Sequence, residues 1–321
     1  MPAARVLDDA AGMLHVRVVS PAEVTGRLTG LLSAEPGVSN VVILRAAATR
    51  PDGDAVQFDL ARASANAVLE RLRELGLDRR SSVIIETVDA ALADRPAQAQ
   101  ARGQAAYHGE QAPVWELVES GIRADAQYPP SFFALLVFAG VIGACGILTN
   151  SQILVVGAMV VGPEYSAIIA IALGLDRRDK RAVRRGLLVL TAGFALAIVV
   201  TLTFAVCIRW SGETPGEYLA GVRPVSDLIN TPNTFSVVVA VIAGLVGVVS
   251  LTLAKATTLT GVFISVTTIP AAADVGVSLV YGAWKEAAGS FEQLLLNVVL
   301  LIVVGAVALR VQRAFWRTPR R

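Results

Sequence analysis

From Ser131 to Leu309 the chain is a series of long apolar runs parted by short polar segments. A helix needs roughly 20 apolar residues to cross the hydrocarbon core of a bilayer. Inside that core every backbone N–H and C=O must be satisfied internally, so runs of this length select helices. Six candidate spans follow: Ser131–Leu148, Gln152–Leu175, Gly186–Ile208, Thr234–Ala254, Thr258–Tyr281 and Phe291–Leu309. The fold class expected is an α-helical polytopic membrane protein of about six transmembrane helices, its first partner the lipid bilayer.

The remainder of the chain has a different character. Most acidic residues fall in 1–127, and the composition breaks at Tyr128-Pro129-Pro130. Three sections are expected: a soluble domain over 1–90, a linker and amphipathic coupling helix over 91–127, and the transmembrane domain over 128–321. The net charge of +2 gives no sign of a nucleic-acid partner. Cys145 and Cys207 both lie in apolar runs, and His15 and His108 share no ligand spacing. Neither a disulfide, a metal site nor a cofactor is expected. Met1–Asp9 lacks the basic start and apolar run of a secretory signal.

In the first section, Leu14–Val19 is rich in β-branched residues and reads as a strand. Ser20 and Pro21 read as the N-cap and first position of a helix carrying Val24, Leu28, Leu31 and Leu32, stopped by Pro36-Gly37. Val38–Leu44 and Val56–Leu60 read as strands around the turn Pro51–Asp54. A helix over Ala61–Leu75 ends at Gly76, and Val83–Val88 is a fourth strand. The order βαββαβ predicts a ferredoxin-like α+β domain, a fold used by ligand sensors and by oligomerisation modules alike. His15 and Arg17 are read as solvated positions on opposite faces of the first strand. Ala90–Gln111 has no apolar period and reads as linker. Val114, Leu117, Val118 and Ile122 share one side of an amphipathic helix suited to a membrane surface or a coupling role.

Lys and Arg in short loops set orientation. The loop after the second span and the C-terminal tail are both basic, whereas Arg209–Asn233 mixes charges. Six spans with both termini in the cytoplasm of a bacterial inner membrane satisfy this pattern. Trp210, Trp284, Tyr128 and Trp316 fall near span ends, where amphipathic aromatics are favoured.

Internal similarity appears at an offset of 104 residues: Ala139, Gly140 and Gly143 recur as Ala243, Gly244 and Gly247, Gly157 meets Gly261, and Gly186 meets Ser290. Two three-span units result, and an odd span number gives them opposite orientations, a 3+3 inverted repeat of the kind that secondary transporters use.

Two spans are interrupted. The second holds Gly162-Pro163-Glu164 and the fifth Pro270 with Asp274. Proline frees a backbone carbonyl, and a carboxylate within a span costs about 2.5 to 3.5 kcal/mol on insertion scales. Paired broken spans are the best sequence pointer to a transport site. The candidate substrate- or ion-binding residues are therefore Glu164 and Asp274 with Pro163 and Pro270. The structural alternatives are that Glu164 caps the half-helix after Pro163 and that Asp274 faces a wet vestibule. Thr257, Gly261, Ser265 and Thr268 align on one side of the fifth span, with Thr260 and Thr267 nearby, either as a polar path or as packing residues. Asn150 joins the candidates from the polar turn Thr149-Asn150-Ser151. Lys255, at the corresponding later turn, reads as snorkelling to the surface. Gly140, Gly143 and Gly146 read as close-packing positions.

The stretch Gly146-Ile-Leu-Thr-Asn-Ser-Gln-Ile-Leu-Val-Val-Gly-Ala-Met-Val-Val-Gly-Pro163 resembles the hallmark of a prokaryotic multi-pass membrane family, domain of unknown function 389. Gly261–Pro270 resembles that family's second signature. Where many members carry two prolines, this chain has Pro270-Ala271. The resemblance runs from about Phe132 to Leu309, and the first section resembles the N-terminal region of actinobacterial members. It implies a multi-pass bacterial membrane protein and no particular activity.

Without a His-rich motif, nucleophile elbow or phosphate-binding loop, no catalytic residue and no enzyme activity are expected. Two functions compete. One is a secondary transporter or channel-like protein for a small solute or ion, acting as a homo-oligomer with a cytoplasmic regulatory domain. The other is a membrane-anchored sensor or scaffold whose N-terminal domain binds a ligand or partner.

Overall fold

A computed structural model describes residues 13–77, 81–88, 98–99, 102, 114–252 and 268–317. The chain divides into two compact units, Met1–Trp115 with Arg313–Arg321 and Glu116–Gln312.

The first unit holds β1 (Met13–Ser20), α1 (Ala22–Ala34), β2 (Val38–Thr49), β3 (Asp52–Ala61), α2 (Arg62–Glu74) and β4 (Ser82–Thr87). The sheet order is β2-β3-β1-β4 with every neighbouring pair antiparallel. Strand alternation decides what is buried. Leu14, Val16 and Val18 of β1 face the same side as Val56, Phe58 and Leu60 of β3, paired across the ladder as Val16 with Phe58 and Val18 with Val56. All six are buried, as are Leu28 and Leu32 of α1 and Val68, Leu69 and Leu72 of α2. Burying each such side chain stabilises by about 1.5 to 3 kcal/mol. α1 starts one residue later than its sequence signal: Ser20 ends β1, and Pro21 is the N-cap. Gly76 follows α2 in the left-handed conformation (φ 74°), which a residue without Cβ adopts freely.

His15 and Arg17 correct an expectation. They stand two residues apart on β1, so they share a face rather than opposing each other. His15 Nδ1 lies 2.8 Å from Asp59 Oδ1, its cross-strand partner. On the open face His15 and Arg17, with Gln57, Ile84 and Glu86, line a cavity of about 120 Å³.

The second unit is helical: α3 (Trp115–Asp125, which begins at the unit boundary), α4 (Pro130–Leu148), α5 (Gln152–Val161), α6 (Glu164–Asp176), α7 (Lys180–Ser211), α8 (Gly216–Leu219), α9 (Pro224–Ile229), α10 (Thr234–Thr252), α11 (Thr268–Val280) and α12 (Trp284–Arg317, whose last turn belongs to the first unit). Four of the described helices, α4, α7, α10 and α12, are long and apolar enough to cross a membrane. α5 and α6 make a fifth if taken as one span bent by 51° at Gly162-Pro163. That bend lies where the second run is interrupted by glycine and proline. The first part of the expected fifth span falls outside the described residues, and α11 is its described part.

Glycines set the helix spacing, as the small-residue pattern of membrane helices requires. A Cβ on Gly140 would lie 3.1 Å from Thr201 and 3.6 Å from Ala197, and one on Gly143 would lie 3.1 Å from Ala273. Gly146 packs as tightly on Val155 and Leu154.

Several features recur 104 residues apart. α4 and α10 start at Pro130 and Thr234, α6 and α11 end at Asp176 and Val280, and α7 and α12 start at Lys180 and Trp284. The caps recur too. Asp179 N–H donates to the Gly174 carbonyl at 2.8 Å, and Ala283 N–H to the Ser278 carbonyl at 2.9 Å. Between each pair stands a left-handed residue, Arg178 or Gly282, which closes a Schellman turn.

Candidate functional site

Gly162 and Pro163 end one helix and begin another. Pro163 is the N-cap of α6, so Glu164 is its first residue, where unpaired N–H groups favour an anion. Its side chain turns inward and the residue is 6% exposed. The Thr268 hydroxyl donates to Glu164 Oε1 at 2.6 Å, and Oε2 has no partner among the described residues. Gly162 is needed beside it: a Cβ there would strike the Glu164 carboxylate and come within 2.7 Å of Ile269.

Asp274, in the middle of α11, is fully buried. Three hydroxyls donate to it: Ser226 at 2.8 Å to Oδ1 and 2.9 Å to Oδ2, Ser290 at 2.6 Å to Oδ2, and Ser278 at 3.3 Å to Oδ1. They come from α9, α12 and α11 itself, and all three serines are 0% exposed. Hydrogen bonds to a charged group contribute about 1.5 to 3 kcal/mol each, which offsets the desolvation of a buried carboxylate. At the rim, Arg223 Nη1 bonds both oxygens of Glu286, at 3.1 and 2.9 Å. The guanidinium lies 4.3 Å from the centroid of the Tyr218 ring. Tyr218 is fully buried and its hydroxyl has no partner among the described residues. Burial, then the charge of Asp274, pushes that phenol well above its usual range.

Thr268, which reaches Glu164, and Asp274 stand about 9 Å apart along α11 by helical rise. Among the described residues no hydrogen bond joins the two carboxylates, and no donor serves both. Thr268 is brought to Glu164, and Pro270 is buried in α11. Asn150 sits elsewhere: its left-handed backbone (φ 51°) closes the turn after α4, and its Nδ2 donates to the Val222 carbonyl at 3.0 Å. Thr257, Gly261, Ser265, Thr260, Thr267 and Lys255 lie outside the described residues.

Sequence reasoning missed Ser226, Ser278, Tyr218, Arg223 and Glu286. Serines are common in loops and spans, and only the fold brings these together. Ser290 did carry a signal, as the polar counterpart of Gly186 at the 104-residue offset.

The carboxylates and their donors fall within one stretch of sequence. Residues 159–303 match the family Domain of unknown function (DUF389). Over that stretch the chain is similar to this family. The DUF389 match starts in α5, just before the break, and ends in α12. It contains Glu164, Thr268, Asp274 and all three serines. The first unit and most of the stretch Gly146–Pro163 lie outside it. No curated protein and no solved structure matches the chain.

Proposed function

We propose that this is a transporter or channel-like membrane protein for a small solute or ion. In this reading six spans form two inverted three-helix units, both termini are cytoplasmic, and a ferredoxin-like N-terminal module regulates or oligomerises the protein. One observation carries the reading: Glu164 and Thr268, hydrogen-bonded to each other, are themselves 104 residues apart. Under a two-fold relation that adds 104 to one half and subtracts it from the other, a contact between counterparts falls on the axis. Other contacts behave as such a relation demands. Gly276 packs on Thr201, and the exchanged pair is Ala172 on Gly305. Gly140 packs on Ala197, and its counterpart Gly244 packs on Leu301. A buried carboxylate on the axis, at a helix break, is where inverted-repeat transporters bind their cargo.

The test is flux. Full-length protein in liposomes, under imposed sodium, potassium or proton gradients and read with a voltage-sensitive dye, is expected to conduct or exchange at least one ion. Glu164→Gln is expected to lower the rate at least tenfold. Equal rates in protein-free liposomes, wild type and variant would sink the reading.

The open sheet face with His15, Arg17 and Glu86 favours the second reading, a ligand-binding sensor. A small-molecule thermal-shift hit on the full chain that Arg17→Ala removes, without any flux, would favour it over transport.

A further inference from the structure

The two halves of the helical unit can be compared position by position, and the comparison isolates one polar cluster. Asp274, Ser226, Ser278 and Ser290 have as counterparts, 104 residues earlier, Ala170, Ile122, Gly174 and Gly186. Those counterparts are also neighbours in space. Ile122, Ala170 and Gly174 line a cavity of about 50 Å³, and Gly186 packs on Ile171. One half therefore has neither a carboxylate nor a hydroxyl at these four positions, although Arg123, Arg177 and Asp179 line the same cavity. The fold does not require the carboxylate and three hydroxyls of the other half, yet they carry a large desolvation cost.

The charge balance defines what they could hold. Arg223 is committed to both oxygens of Glu286, so that pair is neutral. An ionised Asp274 has one negative charge, and the side chains that bond it are three neutral serines. The oxygens on offer are all hard ligands: two carboxylate oxygens and three hydroxyls, with the buried Tyr218 hydroxyl near Ser278. One unit of positive charge neutralises an ionised Asp274, whereas a divalent ion would leave an excess charge in a buried cluster. Serine hydrogens rotate freely, so each hydroxyl can turn its proton away from Asp274 and present a lone pair.

We infer that Asp274, Ser226, Ser278 and Ser290 form a binding site for one monovalent metal cation, separate from the Glu164 position on which the transport reading stands. The inference rests on that reading for its role in coupling, but binding itself can be tested without flux.

The experiment is thermal unfolding of the purified full-length protein in detergent at fixed pH. Sodium chloride is titrated against choline chloride at constant ionic strength. A ligand that binds only the folded state raises the midpoint with its concentration above its dissociation constant. Sodium is expected to raise it and choline to leave it unchanged. Ser278→Gly and Ser290→Gly copy the counterpart residues, so each is expected to fold and to need about tenfold more sodium for the same shift. Asp274→Asn is expected to remove the sodium response. Identical midpoints in sodium and choline would overturn the site, as would a sodium response retained in all three variants. A midpoint that follows pH and ignores sodium would also overturn it, because Asp274, faced by Glu286, Arg223 and Tyr218, would then be taking a proton. Sodium binding without ion flux would keep the site and remove the transport reading. Flux with no sodium binding would do the reverse.

Discussion

Glu164→Gln distinguishes a working carboxylate from a structural cap by the sign of its effect on stability. As a cap, Glu164 stabilises α6 through the helix N-terminus, by about 0.3 to 1 kcal/mol and up to about 2 in a partly buried site. Its loss would then lower stability. The geometry argues for the opposite sign. Glu164 is 6% exposed, accepts from the Thr268 hydroxyl at one oxygen and leaves the other unpartnered among the described residues. Desolvating an ionised carboxylate costs several kcal/mol. The Thr268 hydroxyl returns about 1.5 to 3 kcal/mol. Glutamine keeps an oxygen for Thr268 and discards the charge. The expected outcome is a folded state unchanged or up to about 2 kcal/mol more stable. For a unit of this size that is a rise of roughly 0 to 8 °C in the unfolding midpoint. Thr268→Val removes the donor at nearly constant volume and is expected to cost about 1.5 to 3 kcal/mol, and less when Glu164 is already glutamine. Thermal unfolding of the four proteins in one detergent gives the coupling, expected at 0.5 kcal/mol or more, on the order found for groups in contact. A midpoint lowered by Glu164→Gln as much as by Thr268→Val would refute the reasoning and leave Glu164 a cap.

Other expected outcomes follow from packing and charge. Gly276→Ala should destabilise by about 1 to 3 kcal/mol. Its Cβ would lie 2.8 Å from the Ile198 carbonyl and 2.9 Å from the Leu202 nitrogen, so Thr201→Ala should not rescue the unfolding midpoint. Gly305→Ala meets the Ala172 methyl at 3.2 Å and Ile169 at an ordinary 3.8 Å, so Ala172→Gly should restore the wild-type midpoint. In the first unit, the Ala46 N–H holds the Asp54 carboxyl below its usual pKa, helped by the Thr25 hydroxyl and Arg45. A depressed carboxylate stabilises above its unfolded pKa and loses that contribution as pH falls through the lower, folded value. Hydrogen exchange in β2 and β3 of the full chain should therefore quicken as pH falls below about 4, after correction for the intrinsic rate, and Asp54→Asn should flatten that dependence.

The elements of both units were largely legible because their periods are strong. Alternation at Leu14, Val16 and Val18 and the apolar runs of α4, α7, α10 and α12 follow from burial alone. The break at Gly162-Pro163 was legible because proline lacks a donor. The face shared by His15 and Arg17 was misread, although a strand period of two decides it. The serines around Asp274 were not legible. They come from α9, α11 and α12, and nothing local in the sequence tells a serine that bonds a distant carboxylate from one that bonds its own helix, as Ser250 does.

The 104-residue correspondence separates frame from chemistry. Helix boundaries, Schellman turns and glycine contacts recur in both halves, which is what a shared backbone plan needs. The hydrogen-bonded carboxylates do not recur. If the halves exchange shape, a contact on the axis maps onto itself, so Glu164 and Thr268 can stay joined throughout. The Asp274 cluster maps onto Ala170, Gly174 and Gly186, which offer no side-chain donor. An exchange would thus preserve the first carboxylate's surroundings and alter the second's. A site that changes between states is the one whose ligand can bias them, because a ligand shifts an equilibrium only by its difference in affinity for the two states. On the transport reading proposed above, Glu164 would serve as the pivot, and Asp274 is where a bound cation would be felt.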